Sequence, residues 1–544
     1  MSNFTLEKTS HHQYITMHKD ESSHEDIIAR CNVDLLQKAL EDKGITNAKV
    51  VWADIRSGKN LNMEHPLLRG PAMMPFHDEL FEGIPEFCDV LIQESVPGGR
   101  TANVSVWAPL NWNERFLACG GGGMQSAVDV RIFEGVRSST VVCGVRNGFV
   151  SACSDGGIDQ IRFMDWGLDP VTKELDYEMI KDWSDRALHS ATVMGKIIAE
   201  ALYGMAPKYS YYQGASNGGR MGLAAVQCYP EDYDGAWADA PAVSHPRFQM
   251  AGGWPLYVMN WHNNFLYEAK LDAFRNAILQ QFGCEGGYVD SADPAPFDTF
   301  SIVGQDTADG PITELDAQVM KEIFDGPHTR DGQRLYYGMF PGTYTWGMQG
   351  LIHYVDDGNG GRTPSLFEIP DNFVKGWVKQ DPDWDWKTMT REQYEELFSI
   401  AREKFSHIIK GEEGDISAFQ AHCGKLLLSH CAFDELIFPG GTVDVYRRMI
   451  NSLGGEDKSL DTLRFFLTPG GSHCGHYALG ITLADGMIAL MNWVEKGIAP
   501  ESMPLEMKDI RFNPAPTVQQ ATGRLYKLSE HPDFEFANNS VFDV

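Results

Sequence analysis

The stretch "YQGASNGGRMG" (212–222) sets one serine, Ser216, among glycines directly after an apolar, aromatic run. Gly214-Ala215-Ser216-Asn217-Gly218 fits G-x-S-x-G, the strand-to-helix elbow that exposes a nucleophilic hydroxyl. A tight turn that only needs small residues reads the same way, and a chain with 54 glycines can hold the pattern by chance. The decision rests on partners. A serine hydroxyl is a weak nucleophile. It needs a neutral imidazole to take its proton and a carboxylate to orient that imidazole and stabilise its cation. On a parallel α/β sheet these groups follow strand ends in the chain order Ser, Asp/Glu, His. Asp434 follows "KLLLSHC", and His473 follows "LRFFLTPGG". Each has a rival: Glu435 adjoins Asp434, and His476 shares the loop "GGSHCGHYALG" with His473. Asp434 could instead cap a helix, and His430 reads equally as a core histidine.

A tetrahedral intermediate carries an oxyanion, which needs fixed N–H donors. The backbone N–H of Asn217, just after the serine, is one candidate. Gly122 and Gly123, in "CGGGGM" (119–124) after an apolar run, are the others.

The elements that must position these groups are legible in outline. "CDVLIQESV", "PGG" and "TANVSVWAP" predict a hairpin, followed by the core strand "RFLAC". "TVVCGVRNGFVSACSD" (140–155) reads as another buried strand and turn. "DWSDRALHSATVMGKIIAEALYG" (182–204) repeats its apolar residues at helical spacing. "YSYYQGAS" then reads as a strand and "GGRMGLAAVQCYP" as a helix. This alternation predicts a mostly parallel sheet with crossover helices on both faces. The rhythm stops over 246–410, which is rich in Asp, Gly, Pro, Trp and Tyr and reads as an inserted lid domain. It resumes near 424. The expected organisation is a polar, poorly ordered lead-in (1–30), an α/β catalytic domain (31–245 and 411–544) and the lid.

Composition narrows the partners. The chain has 544 residues, 43% hydrophobic and 22% charged, with a formal net charge of −30. Such acidity repels phosphate backbones and anionic bilayers, so neither nucleic acid nor membrane is an expected partner. No run of 18 apolar residues and no apolar leader is present, so the chain reads as cytoplasmic. The ten cysteines form no C-x-x-C pair, and free thiols are expected.

These blocks together resemble the tannase/feruloyl esterase family of α/β-hydrolases, over about residues 30–510. "YQGASNGGRMGLAAVQCYPEDYDGAWADAPA" is similar to the family's G-C-S-T-G-G-R-x-G, its Y-P-x-D-[FY]-D-G run and its A-P-A. "RFLACGGGGM" resembles the oxyanion segment. "SHCAFDELIFPGGTVDVYRRM" resembles the H-G-x-x-D segment and places the acid at Asp434. "TPGGSHCGH" resembles P-G-x-x-H-C and places the base at His473. In the lid, "VMKEIFDGPHTRDGQRLYYGMFPGT" is also similar.

Two departures matter. The family's cysteine before the serine, which is bridged to the one after the histidine, is Ala215 here, while Cys474 remains. The family's calcium loop corresponds to "CEGGYVDSAD" (284–293), where only Glu285, Asp290 and Asp293 offer side-chain oxygens. A hard cation needs more converging ligands, so no metal or other cofactor is expected. Both departures fit an intracellular relative.

The resemblance implies a serine carboxylic ester hydrolase working through an acyl-enzyme on aromatic or phenolic esters. Trp254, Phe340, Tyr344 and Trp346 of the lid are the candidates for an acyl pocket. Two other readings exist. The same triad could serve an intracellular acyltransferase or lactone hydrolase, and the fold could be a non-catalytic binding protein. The expected partner is a small-molecule ester or lactone. Oligomeric state has no signature in the sequence.

Overall fold

A nine-stranded sheet organises the chain. The computed structural model describes residues 4–10, 13–18, 24–61, 83–126, 140–158, 166–169, 171–285, 287–346, 350–473, 479–507 and 521–531. The sheet strands are β1 Ala48–Arg56, β2 Phe87–Val96, β3 Arg100–Pro109, β4 Arg115–Cys119, β5 Val150–Ser154, β6 Tyr209–Ala215, β7 Gly235–Asp239, β8 Lys425–Cys431 and β9 Leu463–Thr468. Their order across the sheet is β9-β8-β7-β6-β4-β5-β3-β2-β1. The run from β9 to β5 is parallel, and β3, β2 and β1 extend it as antiparallel strands.

The parallel strands bury both faces, so they read as continuous apolar runs, and successive side chains enter different cores. Phe116, Ala118, Tyr212, Ala236, Ala238, Leu426, Leu428 and Phe465 join one core cluster. Leu117, Cys119, Tyr211, Trp237, Leu427 and Phe466 join the other. The first is covered by helices α1 Val33–Asp42, α3 Ala187–Tyr203, α4 Asn217–Cys228 and α6 Pro439–Ser452. The second is covered by α2 Val141–Arg146 and α7 Leu483–Lys496. This is the α/β-hydrolase arrangement.

Helix α2 corrects one expectation. Residues 141–146 were predicted as strand and turn, but Thr140 Oγ1 accepts the Cys143 N–H and caps a helix there. Gly144 permits it: a Cβ at that position would stand 1.7 Å from Ser151 Oγ on β5. Phe4–Leu6 pairs with Ile15–Met17, and Asn147 Oδ1 accepts the N–H groups of Tyr14 and Ile15.

Between β7 and β8 the chain leaves the sheet. It forms α5 His245–Gly252, the helices Glu268–Phe282, Glu314–Asp325 and Arg391–Phe405, and the hairpin Ile352–Asp356/Arg362–Leu366.

The expectation of free thiols is corrected by a Cys31–Cys88 disulfide, which ties the start of α1 to β2 with Cα atoms 5.9 Å apart. The two cysteines are 57 residues apart in sequence, a spacing with no pairing signature until β2 brings them together. A bridge closing a loop of that length constrains the unfolded chain by about 4 kcal/mol. Reducing it, or replacing both cysteines with serine, is expected to cost about 2–4 kcal/mol in chemical denaturation. An unfolding midpoint indifferent to reductant would contradict the bridge. Cys119 and Cys143 are buried thiols, as read from their apolar surroundings.

Candidate active site

Ser216 sits between β6 and α4 with φ 61° and ψ −123°, a backbone state that costs a non-glycine residue on the order of 1–3 kcal/mol. The surroundings hold it there. Its N–H donates to Asp239 O at 2.9 Å, and its carbonyl accepts from Ala242 N–H at 3.0 Å and Arg220 N–H at 3.1 Å. The glycines around it are demanded by close packing: a Cβ on Gly218 would lie 2.7 Å from Gly121 O. The elbow is therefore a braced element that presents one hydroxyl, beyond what a small-residue turn requires.

The glycine run after β4 lies against the elbow. A Cβ on Gly121 would lie 2.0 Å from Gln125 O, and Gly123 has φ 57°. Asn217 Nδ2 donates to Gln125 O at 3.0 Å, while its Oδ1 accepts from Arg220 Nε at 2.9 Å. Arg220 is buried over the Trp183 ring and donates to the carbonyls of Ser184 and Lys410. A chain of polar contacts thus fixes the elbow to the glycine loop. Sequence reading passed over Arg220, although the arginine of "GGRMG" was visible as a charge amid glycines.

Asp434 follows β8 and is fully buried. Its Oδ1 accepts the N–H groups of Leu436 and Ile437 at 2.9 and 2.8 Å. Its Oδ2 accepts from His473 Nδ1 at 2.7 Å and His430 Nε2 at 3.1 Å. Burial alone would raise its carboxyl, but His473 and His430 outweigh it and hold the group well below the usual carboxylate range. With Nδ1 committed to Asp434, Nε2 is the basic nitrogen of His473. His430 also accepts from Thr442 Oγ1 through Nδ1 at 2.8 Å, so it is a satisfied core histidine that adds a second donor to the carboxylate.

Glu435 points the other way chemically. Its Oε2 accepts the His473 backbone N–H at 3.0 Å, while its Oε1 is buried without a partner. Burial, and then the neighbouring charge of Asp434, push it from 4.5 up to about 8. The two adjacent carboxyls thus shift in opposite directions: Asp434 toward the ionised form against an imidazole, Glu435 toward the neutral form. Because the folded state keeps the Glu435 proton and the unfolded chain releases it above about pH 4.5, this residue erodes stability as pH rises from about 4.5 to 8. Glu435→Gln keeps an acceptor for the His473 N–H and cannot ionise. Its thermal advantage over the parent is expected to widen across that window, reaching on the order of 2–4 kcal/mol. A difference that stays constant with pH would refute this.

Ser216, Asn217, Gly123 and His473 line one narrow cavity at the carboxyl ends of the parallel strands, where open α/β sheets place their ligands. Gly122 does not line it; its carbonyl accepts from Gln125 N–H at 3.0 Å. The opposite wall is apolar, with Leu351, Phe367, Ile369, Pro370, Leu436 and Ile437. Helix α5 adds His245, Phe248, Gln249 and Gly252. Their i, i+3, i+4, i+7 spacing puts all four on one face, and "HPRFQMAG" displayed that spacing in the sequence.

The aromatics expected to build the acyl pocket stand elsewhere. Trp254 is buried and donates to Glu322 O at 3.0 Å. Phe340 packs edge-on against Phe433. Tyr344 is exposed under Arg275. Trp346 donates to Asp272 Oδ1 at 2.8 Å. Composition located a segment rich in aromatics but could not say which of them face inward.

His476 and Cys474 lie outside the described residues. Glu285 and Asp290 are exposed, and Asp293 pairs with His531 Nδ1 at 2.9 Å. Among the described residues no three His, Cys, Asp or Glu side chains group to hold a metal ion, and no helix is long and apolar enough to cross a membrane.

A buried carboxylate on an imidazole, beside a strained serine elbow at the rim of this sheet, defines the class: a serine hydrolase of the α/β-hydrolase fold. Residues 88–541 match the family described as Tannase and feruloyl esterase, so the chain belongs to that family and is a carboxylic ester hydrolase. A probable feruloyl esterase of Arthroderma benhamiae is 32% identical over 419 residues, covering 75% of this chain and 76% of that one. Feruloyl esterase C of Talaromyces stipitatus is 25% identical over 507 residues, covering 89% and 88%. The fold is shared with the crystal structure of feruloyl esterase B from Aspergillus oryzae, at TM-score 0.71, 22% identity and coverage of 92% and 96%. It is also shared with tannin acyl hydrolase from Aspergillus niger, at TM-score 0.75, 18% identity and coverage of 95% and 98%.

Proposed function

We propose that Ser216, His473 and Asp434 hydrolyse esters whose acyl group is aromatic and phenolic. Ser216 Oγ attacks the ester carbonyl while His473 Nε2 takes its proton. The tetrahedral intermediate collapses to an acyl-enzyme as His473 returns that proton to the departing alcohol. Water, deprotonated by the same imidazole, then releases the acid. Asp434 holds the Nδ1–H tautomer and stabilises the imidazolium. The backbone N–H groups of Asn217 and Gly123 receive the oxyanion. The first N–H groups of a helix have no intrahelical partner, which frees that of Asn217 for this work.

The observation that carries the reading is the 2.7 Å contact of His473 Nδ1 with Asp434, in a cavity that His473 shares with Ser216. The phenolic acyl group rests on what the relatives are named for and on the apolar wall facing the serine. A panel of hydroxycinnamoyl, galloyl and short aliphatic esters tests it. Preference for the aromatic esters supports the reading, and preference for acetate or butyrate esters would sink it.

Noncovalent ties from Arg220 to Asn217 and from Asn217 to Gln125 hold the elbow against the glycine loop. Compartment is a separate expectation. The chain reads as intracellular, whereas the Cys31–Cys88 disulfide is chemistry of an oxidising compartment, so thiol trapping of the protein in its native host decides between them.

A further inference from the structure

His245 and Gln249 sit one helical turn apart on α5, and both line the cavity that contains Ser216. They are 2% and 3% exposed. Their side chains bond each other, Gln249 Nε2 to His245 Nε2 at 3.1 Å. Beyond that bond, His245 Nδ1 and Gln249 Oε1 are buried with no partner. Two orphan polar atoms in an otherwise apolar wall cost free energy in the empty enzyme, and a ligand that satisfies both removes that cost.

The chemistry of that ligand follows from the pair. If the amide donates to Nε2, then Nδ1 carries the proton and is the unpartnered donor, leaving Oε1 as the unpartnered acceptor. If the amide is turned over, Nδ1 becomes the acceptor and the amide nitrogen the donor. Either way the unpartnered atoms include both a donor and an acceptor, and the pair is neutral. Burial, then the nearby Arg220, holds the imidazole uncharged. Arg220 itself is occupied by Asn217, Ser184 and Lys410, so it brings no free cation to the cavity. A carboxylate could use only the donor and an ammonium only the acceptor. A hydroxyl is both at once. The rings of Phe248 and Phe367 and the side chains of Ile369 and Pro370 line the same cavity and suit a flat aromatic body.

We propose that His245 and Gln249 read a free hydroxyl on the aromatic ring of the acyl group, and so set preference for phenols over their methyl ethers. This rests on the phenolic-ester reading above and names the residues that enforce it. A methylated ring would fill the cavity yet leave the pair half-satisfied. A site built to bond a hydroxyl rejects the analogue lacking it far more strongly than an apolar pocket rejects an extra methyl.

The test compares methyl 4-hydroxy-3-methoxycinnamate with methyl 3,4-dimethoxycinnamate. The parent protein is expected to favour the phenol by roughly 10- to 100-fold in kcat/KM, and His245→Leu or Gln249→Met should bring that ratio close to one. A parent with no preference, or variants that lose both esters alike with the ratio unchanged, would overturn the proposal. Gln249→Met keeps volume and serves if His245→Leu fails to fold. Binding of the two corresponding acids to the Ser216→Ala protein, with and without Gln249→Met, separates the two readings. If the parent turns over neither ester while the Kd ratio still depends on Gln249, the catalytic reading falls and the reader stands. A Kd ratio of one in both proteins sinks the reader.

Discussion

Ser216→Ala is expected to lower kcat for ester hydrolysis by about 10⁵- to 10⁶-fold and to change unfolding little. The loss is that large because alanine removes the only atom that bonds to the acyl carbon, and no neighbouring group can substitute for it. Stability should hold because the hydroxyl has no part in bracing the elbow. The backbone bonds to Asp239, Ala242 and Arg220 do that, and alanine pays the same strain at φ 61° as serine does. Binding of product acid should survive, since the cavity wall is untouched. Retention of a tenth or more of the parental kcat in protein free of contaminating esterase would remove Ser216 from the mechanism.

Asp434→Asn should cost about 10⁴-fold in kcat with a small change in KM. Oδ1 receives two backbone N–H groups, so an asparagine keeps its oxygen on that side. Its amide nitrogen must then face His473 and His430, where an oxygen had accepted from both rings. His473 is driven to the tautomer with the proton on Nε2, and the base has lost its lone pair toward the serine. The neighbouring carboxyl supplies the control. Glu435→Gln leaves the Asp434–His473 contact in place, so its kcat should fall less than tenfold at neutral pH. Should Glu435→Gln be the crippled variant and Asp434→Asn the active one, the roles given to these two carboxyls would be exchanged.

The strands and the three proposed reacting groups were readable for one reason: parallel strands buried on both faces appear as short apolar runs, and each candidate followed such a run. Residues 141–146 were misread on the same basis. Buried on every side, the helix there lacks a polar face, so periodicity could not tell it from a strand. The acyl-side wall was harder. His245 and Gln249 sat just outside the residues chosen, because an aromatic-rich composition drew attention to Trp254, Phe340, Tyr344 and Trp346, none of which lines the cavity of Ser216. Glu435 was seen only as a rival to Asp434. Its raised pKa comes from burial beside the charge of Asp434, an enclosure that only the folded chain supplies. The Cys31–Cys88 bridge was hidden likewise, by the return of β2 to the start of α1.

The proposed mechanism requires a covalent bond from the acyl carbon to Ser216 Oγ. Rapid quench of the protein with a hydroxycinnamoyl ester, followed by peptide mapping in the mass spectrometer, should find the acyl mass on the peptide containing Ser216, and should find none in Ser216→Ala. Turnover with the acyl group on a different residue, or an adduct that persists in Ser216→Ala, would contradict it.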